Sequence, residues 1–446
     1  MKSSSKENMI LKLALLISSI LYFVLSYFIK REDSILLFSS IAMLFAAYFC
    51  IISRSDISER SFLILIASAF FFRFIFSLAT PALSDDFYRF IWDGRLAASG
   101  LNPFSYLPDD VANQSLLSGS ENLELYAKMN SQHYYSVYPP VLQLLFFISG
   151  KLSFGSNFVA VLILRVFILC AEFGTFYFLK KILEHLELSK SKALVYLLNP
   201  LVIIELSGNL HFEGVMLFFI TASFYYLLIN NLLYSSIFFA LAVSTKMIPL
   251  ILLPIIVKSV GLKKGGIYAL IVTFSSALIF LPFIDRQLIS NIGSSVGLYF
   301  QKFEFNASFY YLFRWIGYQL SGYNEIGIIG KVLPIISLIF ILIISLKDSI
   351  KDINYVFFNK IIQIFFVYYL CSMIIHPWYV SFLVLISVFT RSRFAIIWSL
   401  LIFGSYLTYS TLPYNENIIV VGLEYSTVLA WFYCEKKGLK FTQIFH

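Results

Sequence analysis

Charge is what this chain has least of. Only 13% of its 446 residues are Asp, Glu, Lys or Arg, about half the ~25% share of a soluble globular protein. A soluble fold with a solvated polar surface is thereby excluded. Cysteine is nearly missing too. Cys50, Cys170, Cys371 and Cys434 are widely separated and mostly lie inside apolar runs, which excludes a disulfide framework or a cysteine metal site and leaves packing as their role. No polar stretch is long enough for a soluble domain of any size. The net charge is +8, yet no basic face interleaved with aromatics is present, so nucleic acid is not a partner.

What the chain has is apolar length: 59% of its residues are hydrophobic and 18% aromatic. Apolar runs recur from end to end, each about long enough for a helix to cross a hydrocarbon core of roughly 30 Å. The fold class is therefore all-α, a polytopic membrane protein made as one integral membrane domain over 1–446. Spans are expected at 9–29, 35–53, 62–80, 157–179, 194–209, 211–230, 233–244, 246–257, 266–283, 326–346, 360–376, 378–390, 394–410 and 417–433, several of them short for a full crossing. The first run lacks a small-residue cleavage site and reads as a retained helix. Arg54 and Arg60, Lys180 and Lys181, Lys190 and Lys192, Lys258, Lys263 and Lys264, Lys347 and Lys351, Arg391 and Arg393, and Lys436, Lys437 and Lys440 all fall on one side if 139–148 is re-entrant or interfacial. The positive-inside rule makes that side the cytoplasm. Both termini are then cytoplasmic, about fourteen crossings result (twelve to fourteen if broken ones are merged), and two loops, 84–138 and 284–325, face outward.

The outer loops and their neighbours carry the chemistry. In SDDFYRFIWDGRLAASGLNPFSYLP, Ser84–Pro108, the adjacent carboxylates Asp85 and Asp86 directly follow an apolar run and precede an aromatic-rich stretch. As a helix, that stretch would lay Phe87, Phe90, Ile91 and Leu96 on the bilayer surface and leave Arg89, Asp93 and Arg95 to face water or pair with one another. A carboxylate at such a boundary can act as general base toward a hydroxyl, or Ser84 or Asp85 can simply cap the helix.

NPLVIIELSGNLHFEG places Glu205, Asn209, His211 and Glu213 beside apolar runs, where polar groups mark function or a polar pair. His211 with Glu213 is too sparse a pair to specify a metal. Lys246, between two half-length runs, suits either snorkelling or an anionic partner such as phosphate. His376 in HPWYV sits where Pro377 breaks the helix. With Trp378 and Tyr379 it can bind a phosphate and stack on a sugar, or it can be an aromatic belt. The loop around Lys302, Glu304, Asn306 and Arg314 is rich in aromatics and suits an interfacial segment. The outer-side motifs would share one cavity.

SDDFYRFIWDGR, GLNPFSYLP, VYPPVLQLLF, NPLVIIELSGNLHFEGVMLFF, STKMIPLILLP and HPWYV, in that order over residues 80–390, resemble bacterial members of the GT-C superfamily, specifically the polyprenyl-phosphate-mannose-dependent mannosyltransferases. The resemblance implies a GT-C-type fold with amphipathic helices in its outer loops, in a bacterial inner membrane, with the active site on the extracytoplasmic side. It implies that Asp86, with Asp85 second, is the catalytic base; that Lys246, His376 and Arg95 face the donor phosphate; and that Tyr88, Asn102, Tyr138, Asn209 and His211 line the sugar and acceptor pocket. It implies no metal or other cofactor, and as partners a polyprenyl-phosphate-linked sugar donor, a glycan or glycolipid acceptor and membrane lipids. One departure stands out: the family's simplest pattern has one helix before the acidic loop, and residues 1–60 here add two.

The expected reaction is an inverting transfer of a sugar, mannose by resemblance, to an outer acceptor. A transporter or flippase is the alternative from another class, but it would show two similar halves with polar groups near the midplane. A related enzyme using another lipid-borne sugar or a pyrophosphate donor is the alternative within the class.

Overall fold

The computed structural model describes residues 2–54, 57–347 and 353–439. Lys351 and Lys440, counted above among the cytoplasmic charges, lie outside the described residues. Helices make up the described chain, joined by turns and one isolated bridge between Phe305 and Ile374. The spans expected from hydropathy recur as helices. Six are long and apolar enough to cross a bilayer: Met9–Tyr27, Ser34–Ile52, Asn157–His185, Leu262–Phe283, Ile326–Leu346 and Ile418–Lys436. A seventh is a pair, Lys190–Leu197 and Val202–Gly208, bent by 61°. Seven shorter apolar helices of 10–17 residues accompany them among the described residues.

The chain clusters into two compact units. The first comprises 1–83, 179–211 and 375–446; the second comprises 84–178 and 212–374.

In the first unit, Lys2–Tyr27, Ser34–Ile52 and Glu59–Ile75 pack together, the third capped by Ser58, whose hydroxyl accepts the Ser61 N–H at 3.2 Å. Arg73 is fully buried and gives one guanidinium nitrogen to the carbonyls of Ala69 and Leu197, at 2.9 and 2.7 Å. The 61° bend falls at Asn199-Pro200, because proline cannot donate the helical hydrogen bond and crowds the preceding turn. Asn199 repairs the break: its side chain accepts the Leu201 N–H at 3.0 Å and donates to Ser399 at 3.0 Å. Beyond the bend the chain winds as a π-helix, Val202–Gly208, all of it buried.

The second unit is organised on the Asp86–Ala98 helix lying against Pro140–Leu152. The latter, the run read as re-entrant or interfacial, has 13 residues, about 20 Å at 1.5 Å per residue and well short of a ~30 Å core. The Asp86–Ala98 helix does not lie on a bilayer surface as expected. Phe87, Phe90, Ile91 and Leu96 are buried, and so are Arg89, Asp93 and Arg95. Protein covers both faces. The reason is the pairing of its polar side, where Arg89 Nε donates to Asp93 at 2.7 Å and Ser136 Oγ and Gln143 Nε2 donate to the other Asp93 oxygen at 2.6 and 3.1 Å. A buried charge satisfied by this many partners can sit inside the unit.

Glu213–Leu228 and Leu232–Thr245 form a helical hairpin, and the chain then breaks at Lys246, extended at φ −155° and ψ 131°, before Ile248–Val260. Two helices occupy the 284–325 segment, Leu288–Lys302 and Phe309–Ser321. The second buries Tyr310, Tyr311 and Gly317 and exposes Leu312, Trp315, Tyr318 and Leu320, as an amphipathic segment should.

Candidate functional site

Asp86 begins its helix and Asp85 occupies the N-cap position, both half-buried. The capping alternative is only partly realised. Asp85 makes no side-chain capping bond, and the Ser84 hydroxyl accepts the Asp86 N–H at 3.3 Å. The carboxylate pair therefore sits on a helix start whose local closure comes from Ser84. Tyr88, one turn on, is half-buried with its ring 4.0 Å from Phe87 and Lys128 Nζ 5.8 Å from its centre. Tyr138 meets Phe90 edge-on at 5.0 Å, which keeps its ring beside the same helix.

Arg95 does not stand near these acids. It is nine residues along the helix, about 13.5 Å by helical rise, and its guanidinium donates to Asn122 at 2.5 Å, to Asn157 at 2.7 Å and to the Gly155 carbonyl, with Glu121 at 4.0 Å. Those bonds engage it in tying 121–122 to 155–157. Asn102 is likewise a clasp. Its amide nitrogen donates to the Phe283 carbonyl at 3.0 Å and to Asp285 at 3.2 Å, while its oxygen accepts the Phe104 N–H at 3.1 Å. Ser105 donates to the same Asp285 carboxylate, and Asn291 to the Phe104 carbonyl at 3.0 Å. The Ser105 hydroxyl first, then the backbone N–H groups of Gln287 and Leu288 and the Asn102 amide, hold the Asp285 carboxyl below the usual carboxylate range. The side chain of Asn102 thus joins these loops.

Lys246, one-third exposed, pairs with Glu213, which is nearly buried in the first turn of its helix. This partner was visible in the sequence only as a neighbour of His211. The 284–325 segment is braced similarly: Glu304 pairs with Arg314, whose guanidinium lies 4.4 Å from the Tyr311 ring centre, and the Asn324 amide donates to Glu304 at 3.3 Å.

The first unit holds Asn209, His211 and His376. The Asn209 side-chain oxygen accepts the Leu83 N–H at 3.2 Å, which ties the Gly208–Gly214 turn to the residue two before Asp85. Asn209 also donates to Glu205 at 3.2 Å. Leu210 takes a positive φ of 61°, a conformation costly for a leucine, and this turns His211 back so that its Nε2 lies 3.4 Å from Glu205. His211 stacks on Trp378, ring centres 3.5 Å apart at 17°, and His376 stacks on Trp378 at 4.4 Å and 7°. Two imidazoles so close and so nearly parallel to one indole must take opposite faces, since on one face they would overlap. Both faces of Trp378 are therefore in contact with an imidazole. Of the three rings His376 is the half-exposed one.

Sequence reasoning missed two things here. Tyr406, whose hydroxyl donates to Glu205 at 2.9 Å, lies some two hundred residues away without a motif around it. Gly94 and Gly150 carry no signal in the sequence, yet a Cβ on either would strike the partner helix's backbone at 2.2–2.3 Å.

Helices of this number and apolarity define a multi-pass membrane protein. The family model of the alpha-(1->6)-mannopyranosyltransferase N-terminal domain matches residues 16–261, more than half of the chain, and the chain belongs to that family. It is a glycosyltransferase, and the sugar its family transfers is mannose. The match begins inside the first helix, so the second half of that helix and the next two before the acidic motif fall within it, while HPWYV lies beyond its end. Comparison with curated proteins and with solved structures gives no match.

Proposed function

We propose that the protein transfers mannose, in α-(1→6) linkage and with inversion, from a β-linked polyprenyl phosphomannose to a hydroxyl of a mannose-containing glycan or glycolipid, on the extracytoplasmic side of a bacterial inner membrane. Asp86 removes the proton from the acceptor hydroxyl. The oxygen attacks the anomeric carbon, the bond from that carbon to the phosphate oxygen breaks, and polyprenyl phosphate leaves with both electrons. Lys246 and His376 face the donor phosphate and offset the charge that develops on it, the kind of fixed positive groups that act strongly where water is scarce.

One observation carries this reading beyond the family assignment. Two adjacent half-buried carboxylates stand at the start of a helix in which Arg89 pairs with Asp93 and Arg95 is held by Asn122 and Asn157. A general base needs this combination of partial desolvation and access. Asp86 takes precedence over Asp85 by its place in the helical turn that also carries Tyr88, and Arg95 and Asn102, engaged as described above, are left out.

The test is transfer by protein purified in nanodiscs, supplied with polyprenyl phosphomannose and an α-mannoside acceptor. The reading expects release of polyprenyl phosphate and an α-(1→6) product, with chelator present or absent, and a loss of about a hundredfold or more in Asp86→Asn. Full activity of both Asp86→Asn and Asp85→Asn would sink the base assignment, and no consumption of that donor by the wild type would sink the donor assignment.

A further inference from the structure

Glu205 lies fully buried on the π-helical segment Val202–Gly208. Such insertions into a helix are rare and concentrate at functional positions. Each of its oxygens meets a donor: the Tyr406 hydroxyl on one at 2.9 Å, and the Asn209 amide on the other at 3.2 Å. The His211 Nε2 lies 3.4 Å from that second oxygen. A glutamine placed there would turn an NH2 against a donor on one side or the other, so the environment is built for a group with two acceptor oxygens. A buried carboxylate is costly without a compensating basic group. Arg73, on the Glu59–Ile75 helix, directs a guanidinium nitrogen to two backbone carbonyls, and the basic side chain beside Glu205 is His211.

His211 in turn covers one face of Trp378, and His376 covers the other. The chain of contacts runs from a buried acid through two stacked aromatic rings to the half-exposed imidazole. Stacked rings at 3.5 and 4.4 Å leave little freedom to tilt, so the orientation of the last ring is set by what holds the first. Tyr379 adds an edge against His376 at 5.5 Å, which fixes the remaining side.

We propose that Glu205 is a positioning residue for the transfer reaction, fixing the imidazole of His376 through His211 and Trp378. The inference rests on the reading above in which His376 faces the donor phosphate. The role predicts a specific pattern. Weakening Glu205 should impair recognition of the lipid phosphate, and the effect should disappear once the ring of His376 through which it passes is removed.

The experiment measures binding of polyprenyl phosphate and steady-state transfer for Glu205→Gln, His376→Ala and the double variant, each checked for its unfolding temperature in detergent. Glu205→Gln is expected to raise the donor KM and weaken polyprenyl phosphate binding about tenfold, the scale of one lost hydrogen bond to a charged group. In the His376→Ala background the same substitution should add nothing, since its effect passes through the missing ring. Additive losses, or unchanged polyprenyl phosphate binding in a folded Glu205→Gln protein, would overturn the proposal. If His376→Ala leaves binding intact, the phosphate reading of His376 fails, and with it the basis of this one. Tyr406→Phe, which removes one donor and keeps the carboxylate, answers the question should Glu205→Gln not fold: it is expected to show the same rise in donor KM, a few-fold in size, and no rise overturns the proposal.

Discussion

Gly94 and Gly150 touch backbone to backbone, so that a Cβ on Gly150 would lie 2.3 Å from the Gly94 carbonyl oxygen and one on Gly94 would lie 2.2 Å from the Phe146 carbonyl oxygen. Neither obstacle is a flexible side chain, so the helices would have to separate. Gly150→Ala and Gly94→Ala should each destabilise by about 1–3 kcal/mol or more. Activity should fall with stability, because the helix being pushed is the one that starts at Asp86. Gly266→Ala, at an exposed helical position with nothing within 4 Å, should hold or slightly raise the unfolding temperature. Equal behaviour of the three variants would show that the close approach is not needed.

Asp93 should matter to the fold more than to the chemistry. It is fully buried and accepts from Arg89, Ser136 and Gln143, while Arg89 also donates to the carbonyls of Ser131 and Tyr134 at 2.9 and 2.8 Å. Asp93→Ala strands a buried guanidinium and is expected to cost about 3–5 kcal/mol. Asp93→Asn, which keeps the shape but turns an NH2 toward donors, should cost less. Thermal unfolding in detergent checks both, and an Asp93→Ala variant as stable as wild type would contradict the pairing.

The legible part of this protein was whatever depends on apolar length. The Ser34–Ile52 helix was expected at 35–53, Ile326–Leu346 at 326–346, and the break at Lys246 was expected from two half-length runs around it. The side chains were less legible because pairing across sequence leaves no local trace. The resemblance gave Arg95 a donor-facing role, and its bonds to Asn122 and Asn157 had no trace in the sequence. The amphipathic reading of 87–98 failed for a related reason. Periodicity reports that a helix has two faces, but it cannot report that Pro140–Leu152 and an internal ion pair bury both of them. His376 and Trp378 were recognised as a cluster, yet the third ring, His211, came from another motif.

Lys246 poses a question that a single substitution answers badly. Its ammonium pairs with Glu213, so Lys246→Ala leaves a nearly buried carboxylate alone and lowers both stability and activity. The double variant Lys246→Met with Glu213→Gln removes the pair as a unit, which is commonly close to neutral for the fold. It is expected to unfold near the wild-type temperature and still show a donor KM raised about tenfold or more, since a hydrogen bond to a charged group contributes about 1.5–3 kcal/mol. A double variant with wild-type donor KM would reduce Lys246 to a partner for Glu213.

The clasp of Asp285 with Ser105 and Asn102 gives a prediction whose sign follows from the direction of its pKa. The carboxyl is held below its ordinary value, the Ser105 hydroxyl contributing most, so the clasp stabilises the folded chain above the usual carboxylate pKa of about 4. That contribution is lost as pH falls through the lower folded value. Asp285 is exposed, so screening keeps the effect small. Asp285→Asn and Ser105→Ala should therefore unfold slightly below wild type at pH 6–7, and the gap should narrow as pH falls below about 4. Melting curves of the three proteins across that range decide the matter: a gap that stays constant with pH would mean that the loops are held by Asn102 and Asn291 without help from the carboxylate's charge.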